Sequence, residues 1–261
     1  MSHNVTSTVE DRIATISLTA VDRMNALDSA TISELISAFE SAHHDHEVWV
    51  VVLRAEGDRA FCVGRDLREV GSNDATRPET IDSVPMRGLE RNLFEVIVEC
   101  AKPVIAAIFG HTLGGGAELA LAADIRIAAD DLSIGFPEVT RGFGANFASV
   151  VLPRTVPIGV ANDLLFTGRR IGASEAAAIH LVNQVVPPAA LDRSARDYAE
   201  TLRSNAPLTI RRYKAMGTKT QGLPLAAALR LDASPNPYLS EDRREGVAAF
   251  LAKRNPVWAA R

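Results

Sequence analysis

The runs Trp49-Val50-Val51-Val52-Leu53 and Val104-Ile105-Ala106-Ala107-Ile108 constrain the fold of this chain most. Both are apolar from end to end, so neither shows the alternation of a strand with one wet face. Uninterrupted runs of this length are strands covered on both sides, which is the usual condition of a parallel sheet. Helical patterns separate them. Over residues 28–42, Ile32, Leu35, Ile36 and Phe39 recur at helical spacing, and Asp28 or Ser29 is placed to cap. Residues 88–100 read as a helix that stops before Lys102-Pro103. A third strand follows at 125–128, and Val5–Glu10 with Ile13–Leu18 reads as an opening hairpin around Asp11-Arg12. The alternation predicts an α/β fold with buried parallel strands.

Beyond Pro153 the pattern becomes nearly all helical, with helices expected at 161–166, 174–179, 190–204, 207–220, 225–233 and 240–254. The last has Glu241 and Asp242 in its first turn and Lys253-Arg254 in its last, the order that complements a helix dipole. The expected division is a core over residues 1–195 and a helical region over 196–261. The polar stretch 71–85 reads as a mobile surface loop.

With 47% apolar residues the chain can bury a sizeable core, and a net charge of −4 gives no reason to expect a nucleic-acid surface. The two cysteines, Cys62 and Cys100, sit in apolar surroundings and read as reduced core thiols. The first residues lack a signal-peptide stretch, and no apolar run reaches membrane-spanning length, so a cytoplasmic protein is expected. His43-His44-Asp45-His46 has no spacing that suits a metal and reads as a solvated loop. His111 reads as a packed or hydrogen-bonded histidine. Gly142-Phe143-Gly144-Ala145-Asn146-Phe147 begins like a dinucleotide fingerprint but ends in Phe147 and lacks a preceding strand. No P-loop and no Gly-x-Ser-x-Gly elbow occurs.

The chemistry concentrates where Leu113-Gly114-Gly115-Gly116-Ala117-Glu118-Leu119-Ala120 turns from strand to helix. Three glycines let the backbone approach a ligand closely. Glu118 then lies in the first helical turn, beside N–H groups with no intrahelical partner, which suit a developing negative charge. Glu138, in Phe136-Pro137-Glu138, adds a second carboxylate whose apolar neighbours favour a raised pKa. Phe61-Cys62-Val63-Gly64-Arg65-Asp66-Leu67 is a second strand–glycine–helix transition, with Asp66 placed to cap a helix from Leu67. On these residues alone, a plain tight turn with solvated glutamates remains open beside an acid/base site.

Taken together, the chain resembles the crotonase (enoyl-CoA hydratase/isomerase) superfamily, and carnitinyl-CoA dehydratase-type members especially. The resemblance rests on Asn25-Ala26-Leu27, the 61–67 segment, Lys102-Pro103-Val104-Ile105-Ala106-Ala107, and Gly110-His111-Thr112 running into the glycine turn. Asp124, Phe136-Pro137-Glu138, Thr167-Gly168-Arg169-Arg170, Val182-Asn183-Gln184-Val185-Val186 and the 240–258 segment continue it. It implies a crotonase-like spiral of ββα repeats with C-terminal helices that trimerise the protein, as a homotrimer or a dimer of trimers. It implies an acyl-CoA thioester substrate of the kind met in fatty acid metabolism, with coenzyme A part of the substrate and no separate cofactor or metal. The backbone N–H groups of Arg65 and Gly115 would form an oxyanion hole. Glu118 and Glu138 would be the two catalytic glutamates. Arg65, Asp66, Leu67, Arg68, Gly114 and Gly115 would line the CoA and acyl site.

The expected reaction is reversible hydration of a 2-enoyl-CoA, with Glu118 activating water and Glu138 supplying the C2 proton. An isomerase using Glu138, or a non-catalytic acyl-CoA-binding protein, is the alternative. The segment from Gly142 to Ser149 departs from the family pattern by about one residue, and Phe147 stands where a small residue is usual. A narrowed or reshaped acyl pocket is the expectation there.

Overall fold

The computed structural model describes residues 4–69 and 91–261. The expected loop at 71–85, and the start of the expected 88–100 helix, lie outside the described residues. The chain opens with β1 (Val5–Glu10) and β2 (Ile13–Leu18), an antiparallel hairpin. Asp11 and Arg12 both take positive φ at its turn, as a two-residue loop matched to strand twist requires. α1 (Ser29–His44) follows, capped by Asp28, whose side chain accepts from the Thr31 N–H. β3 (Val50–Ala55), α2 (Leu93–Glu99), β4 (Val104–Ile108), β5 (His111–Leu113), α3 (Gly115–Ala122) and β6 (Ile125–Ala129) continue the alternation. Then come β7 (Ser133–Gly135), α4 (Asn146–Thr155), α5 (Ile158–Thr167), β8 (Arg170–Gly172), α6 (Ala173–Ala178) and β9 (Gln184–Val186). The chain ends with α7 (Leu191–Arg203), α8 (Pro207–Lys219), α9 (Leu225–Ala228) and α10 (Glu241–Ala252).

A six-stranded sheet runs β1-β2-β3-β4-β6-β9, parallel from β2 onward. β4 is buried at every position, as its unbroken apolar run requires. α7 lies across β3, β4 and β6 with Leu191, Ala195 and Ala199 inward. The expected division after residue 195 therefore falls inside a helix that packs on the main sheet. A second sheet, β5-β7-β8, has no counterpart in the strands expected from sequence. Its members have three residues each, too few for a periodic signal. The result is an α/β fold of two sheets with C-terminal helices.

Other differences have local causes. Residues 61–63 do not form a strand; Ala60 and Cys62 make single bridges to Gly110 and Thr112. α4 has no counterpart in the sequence reading, because Pro153 marks a boundary there yet sits near the helix's C-terminal end. α9 stops at Ala228, short of 233, and Leu225 and Leu229 are exposed, with no packing face to extend the helix. His43 and His44 complete α1 rather than a loop, and the His43 Nδ1 accepts the Ala101 N–H at 3.2 Å.

Arg126 is the charged residue inside an otherwise apolar strand. Its buried guanidinium donates to Leu181 O at 2.7 Å, Ala123 O at 2.6 Å and Ala120 O at 3.3 Å. The last two are carbonyls at the end of α3; Ala120 O also accepts the Ala123 N–H at 3.3 Å. Arg126 thus satisfies the C-terminus of α3 and ties it to the main sheet. Among the described residues no helix is long and apolar enough to cross a membrane.

Candidate active site

The site is assembled at the N-terminus of α3. Gly114 ends β5 with φ 55° and ψ −126°, a conformation open to glycine. Its N–H donates to Gly135 O at 2.9 Å, which joins the turn to the end of β7. That pairing brings Glu138, in the short helical turn Pro137–Arg141, over the start of α3. A β-carbon on Gly114 would lie 2.8 Å from Glu138 Oε1.

The 60–66 segment approaches from the other side. Leu113 N–H donates to Cys62 O at 2.9 Å, and a β-carbon on Gly116 would stand only 2.1 Å from that same oxygen. Gly64, at φ +89°, passes so close that a β-carbon there would sit 2.9 Å from the Gly115 nitrogen. Leu27 clamps the segment, donating its N–H to Gly64 O at 2.8 Å and accepting from Asp66 N–H at 3.0 Å. Arg65 lies between those two bonds, and its N–H meets no acceptor among the described residues. Gly115 is the first residue of α3, so its N–H has no intrahelical partner. The Arg65 nitrogen is 3.7 Å from where a β-carbon on Gly115 would be. Two free backbone donors therefore stand side by side at a helix N-terminus.

The remaining residues singled out from sequence surround this point. Asp66 Oδ1 accepts the Arg68 N–H at 2.9 Å, capping a helical turn that opens at Leu67. Its other oxygen lies 3.4 Å from Arg23 Nη1, which also bonds Asp28 at 2.6 Å. The Arg65 side chain turns away to Glu69 at 3.7 Å. Leu67 and Arg68 are exposed. His111, read as packed or hydrogen-bonded, is exposed rather than packed. Cys62 and Cys100 are free, buried thiols, and burial pushes Cys62 up to about 12.

The two glutamates sit in different surroundings. Glu118 is 6% exposed, and removal from water raises its pKa to about 7. The Glu138 charge contributes to that rise, while backbone N–H groups of Ala148 and Phe147 oppose it. Glu138 is half-buried and is also raised, chiefly by desolvation, against the pull of its own N–H and of Arg141. Its Oε2 is buried without a hydrogen-bond partner among the described residues.

The sequence offers no sign of what holds Glu118. The Ala148 N–H donates to Glu118 Oε1 at 2.9 Å, across thirty residues. Ala148 lies in the first turn of α4, whose N-cap residue Ala145 makes no side-chain cap bond. Glu118 takes that role from another helix. Phe147 does not project into open space: it is 5% exposed and stacks on Phe94 of α2, with ring centroids 5.1 Å apart. At the position where a narrowed or reshaped pocket is expected, the ring of Phe147 is packed against Phe94. An aromatic at 94 and another at 147 are too far apart in sequence to reveal the pair.

Residues 8–261 match the family described as enoyl-CoA hydratase/isomerase. Carnitinyl-CoA dehydratase of Escherichia coli (strain K12) is 37% identical over 246 residues, covering 92% of each chain. The short-chain-enoyl-CoA hydratase of Clostridium acetobutylicum is 34% identical over 255 residues, covering 97% of this chain and 96% of its own. The crystal structure of enoyl-CoA hydratase from Bacillus anthracis matches with a TM-score of 0.90 at 34% identity, covering 99% of this chain and 100% of that one.

Proposed function

This chain belongs to the enoyl-CoA hydratase/isomerase family, and from that premise we propose that it is a hydratase or dehydratase, adding water reversibly across the C2=C3 bond of a 2-enoyl-CoA. The observation that carries the reading is that Glu138 closes over the Gly114 turn, beside the free N–H groups of Arg65 and Gly115 and near enough to the desolvated Glu118 to act on its charge. Those donors receive the thioester oxygen. Charge builds on that oxygen as water adds at C3, so they act chiefly on the transition state. Glu118, as carboxylate, takes a proton from water as the oxygen bonds to C3. The C2=C3 electrons move toward the thioester, and Glu138 returns a proton to C2. Product leaves with Glu118 protonated and Glu138 charged, and the reverse sequence is dehydration. The Glu138 charge raises the pKa of Glu118, so unequal protonation of the two is favoured, which suits paired acid and base work.

The Arg65 contact is through backbone, so its exposed side chain, with Asp66, Leu67 and Arg68, is left to face the CoA portion and the acyl entrance. The C-terminal region exposes Leu225, Leu229, Leu239, Phe250 and Leu251, a large apolar surface for one chain. A homotrimer or dimer of trimers would bury it.

Turnover on 2-enoyl-CoA esters of graded length, followed by mass spectrometry, tests the reading. A 3-hydroxyacyl-CoA product supports it. Conversion of a 3-enoyl-CoA to a 2-enoyl-CoA without hydroxyacyl-CoA would assign the chain to isomerisation instead. Thioester binding without turnover would make it a binding protein.

A further inference from the structure

We propose that Phe147 is a positioning residue: stacked on Phe94, it locks the first turn of α4 so that the backbone donors of that turn keep the Glu118 carboxylate aimed and charged. The inference deepens the role assigned to Glu118 and rests on that reading for its catalytic consequence.

Three observations meet here. First, α4 starts without a cap of its own, and Glu118 Oε1 accepts the Ala148 N–H at 2.9 Å. A helix N-terminus stabilises a negative charge, and α4 supplies that stabilisation to a carboxylate on a different helix. Second, the donors are the two residues at the stack: Phe147 itself and the residue after it. The ring of Phe147 is the large apolar anchor in that turn, while Asn146 is half-buried and Ser149 exposed. Third, the other half of the stack is itself fixed. Phe94 is in the first turn of α2, where Asn92 and Glu95 exchange side-chain and backbone bonds in a capping box. Rigidity therefore passes from the α2 cap, through two rings, to the donors on Glu118.

Burial and the neighbouring Glu138 favour a neutral Glu118; the α4 donors are what oppose them. Other charged groups on the elements packed against α3 are Glu95 and Glu99 of α2, Arg154 of α4 and His111 of β5. None of these acts on Glu118 in the way Glu138 does. Loosening α4 removes the opposing influence and leaves the other two in place. Glu118 would then hold its proton to higher pH.

The test is a titration of the Glu118 carboxyl by carbon-13 NMR in full-length protein labelled at glutamate, with Glu118→Gln identifying the resonance. The expected midpoint for the unaltered protein is about 7. Phe147→Ala should move it upward by about half a pH unit or more. Phe94→Ala, on the partly exposed side of the stack, should move it the same way, and carries the test alone if Phe147→Ala does not fold. Phe147→Tyr, which keeps the ring, should restore the original midpoint. An unchanged or lowered midpoint in the alanine variants overturns the proposal, as does an upward shift that Phe147→Tyr shares. Full hydratase turnover in Glu118→Gln would overturn the catalytic reading instead, and leaves the titration result standing by itself.

Discussion

Glu138 Oε1 fills the space that a side chain on Gly114 would need. A β-carbon there would lie 2.8 Å from it, and the Gly114 backbone has φ 55° and ψ −126°. The absence of a side chain at one residue is thus what lets the carboxyl of the other reach the start of α3.

Gly114→Ala should therefore displace the Glu138 carboxyl and strain the turn. The backbone strain is on the order of 1–3 kcal/mol, tolerable for a large core. Turnover should fall more sharply, by roughly 10²-fold or more, as misplacement of a reacting group costs. Steady-state kinetics beside thermal melting would separate the two. A variant that melts earlier but turns over normally would contradict the placement of Glu138.

Glu138→Gln keeps the shape of the side chain and removes its proton. Loss of one general acid typically costs about 10²–10⁴ in rate. Affinity for a saturated acyl-CoA, measured by calorimetry, should be nearly unchanged, because the thioester contacts are backbone N–H groups. Undiminished hydration by this variant would sink the assignment of Glu138.

The pH profile should be a bell. Glu118 loses its proton at about 7. Once both carboxyls are charged no acid remains, and kcat/KM falls as pH rises. At low pH both are protonated, no base remains, and kcat/KM falls again; the limbs belong to the coupled pair rather than to either residue. Hydration takes up no net proton, so the equilibrium constant is independent of pH. The hydration and dehydration profiles of kcat/KM must therefore coincide. Rates that continue to climb above pH 8 would contradict a shared-proton pair.

Glu118 also links stability to pH. Its folded value of about 7 lies above the ordinary 4.5. The neutral form is thus favoured in the folded state, and the stability it contributes is complete below about 4.5 and lost as pH rises through about 7. Glu118→Gln stays neutral and should escape that loss. Its advantage over the unaltered protein should grow by on the order of 3 kcal/mol between pH 4.5 and pH 8. Urea midpoints for both proteins at the two pH values would read this, and parallel losses in the two would argue against a desolvated Glu118.

Phe250 and Leu251 are exposed by 83% and 75% in one chain. If the C-terminal helices form a trimer contact, Phe250→Asp with Leu251→Asp should yield a monomer by light scattering at micromolar concentration. An unaltered mass in that variant, or a monomeric parent, would remove the assembly proposal.

Much of this was legible in the residues themselves. β4 occupies the residues read as a strand, and Asp28 and Asp66 cap where a polar residue before an apolar pattern says they should. Each of those features is local: a neighbour three or four residues away supplies the physics. The β5-β7-β8 sheet was not legible, because a strand of three residues exists only when partners far along the chain saturate its backbone. Phe147 was legible as unusual but not as anchored, since Phe94 is its reason.

The sequence by itself determined the alternation of strand and helix, the glycines where backbones must nearly touch, and the carboxylates near a helix start. It did so because hydrophobic periodicity, capping and steric freedom act over a few residues. Tertiary structure decided which backbone each glycine meets: Cys62 O against Gly116, and Glu138 against Gly114. It also decided that Glu118 is held by a helix thirty residues away and sits out of water. Desolvation and long-range hydrogen bonds depend on what surrounds a group in space, and those are what turn an ordinary glutamate into one that titrates near neutrality.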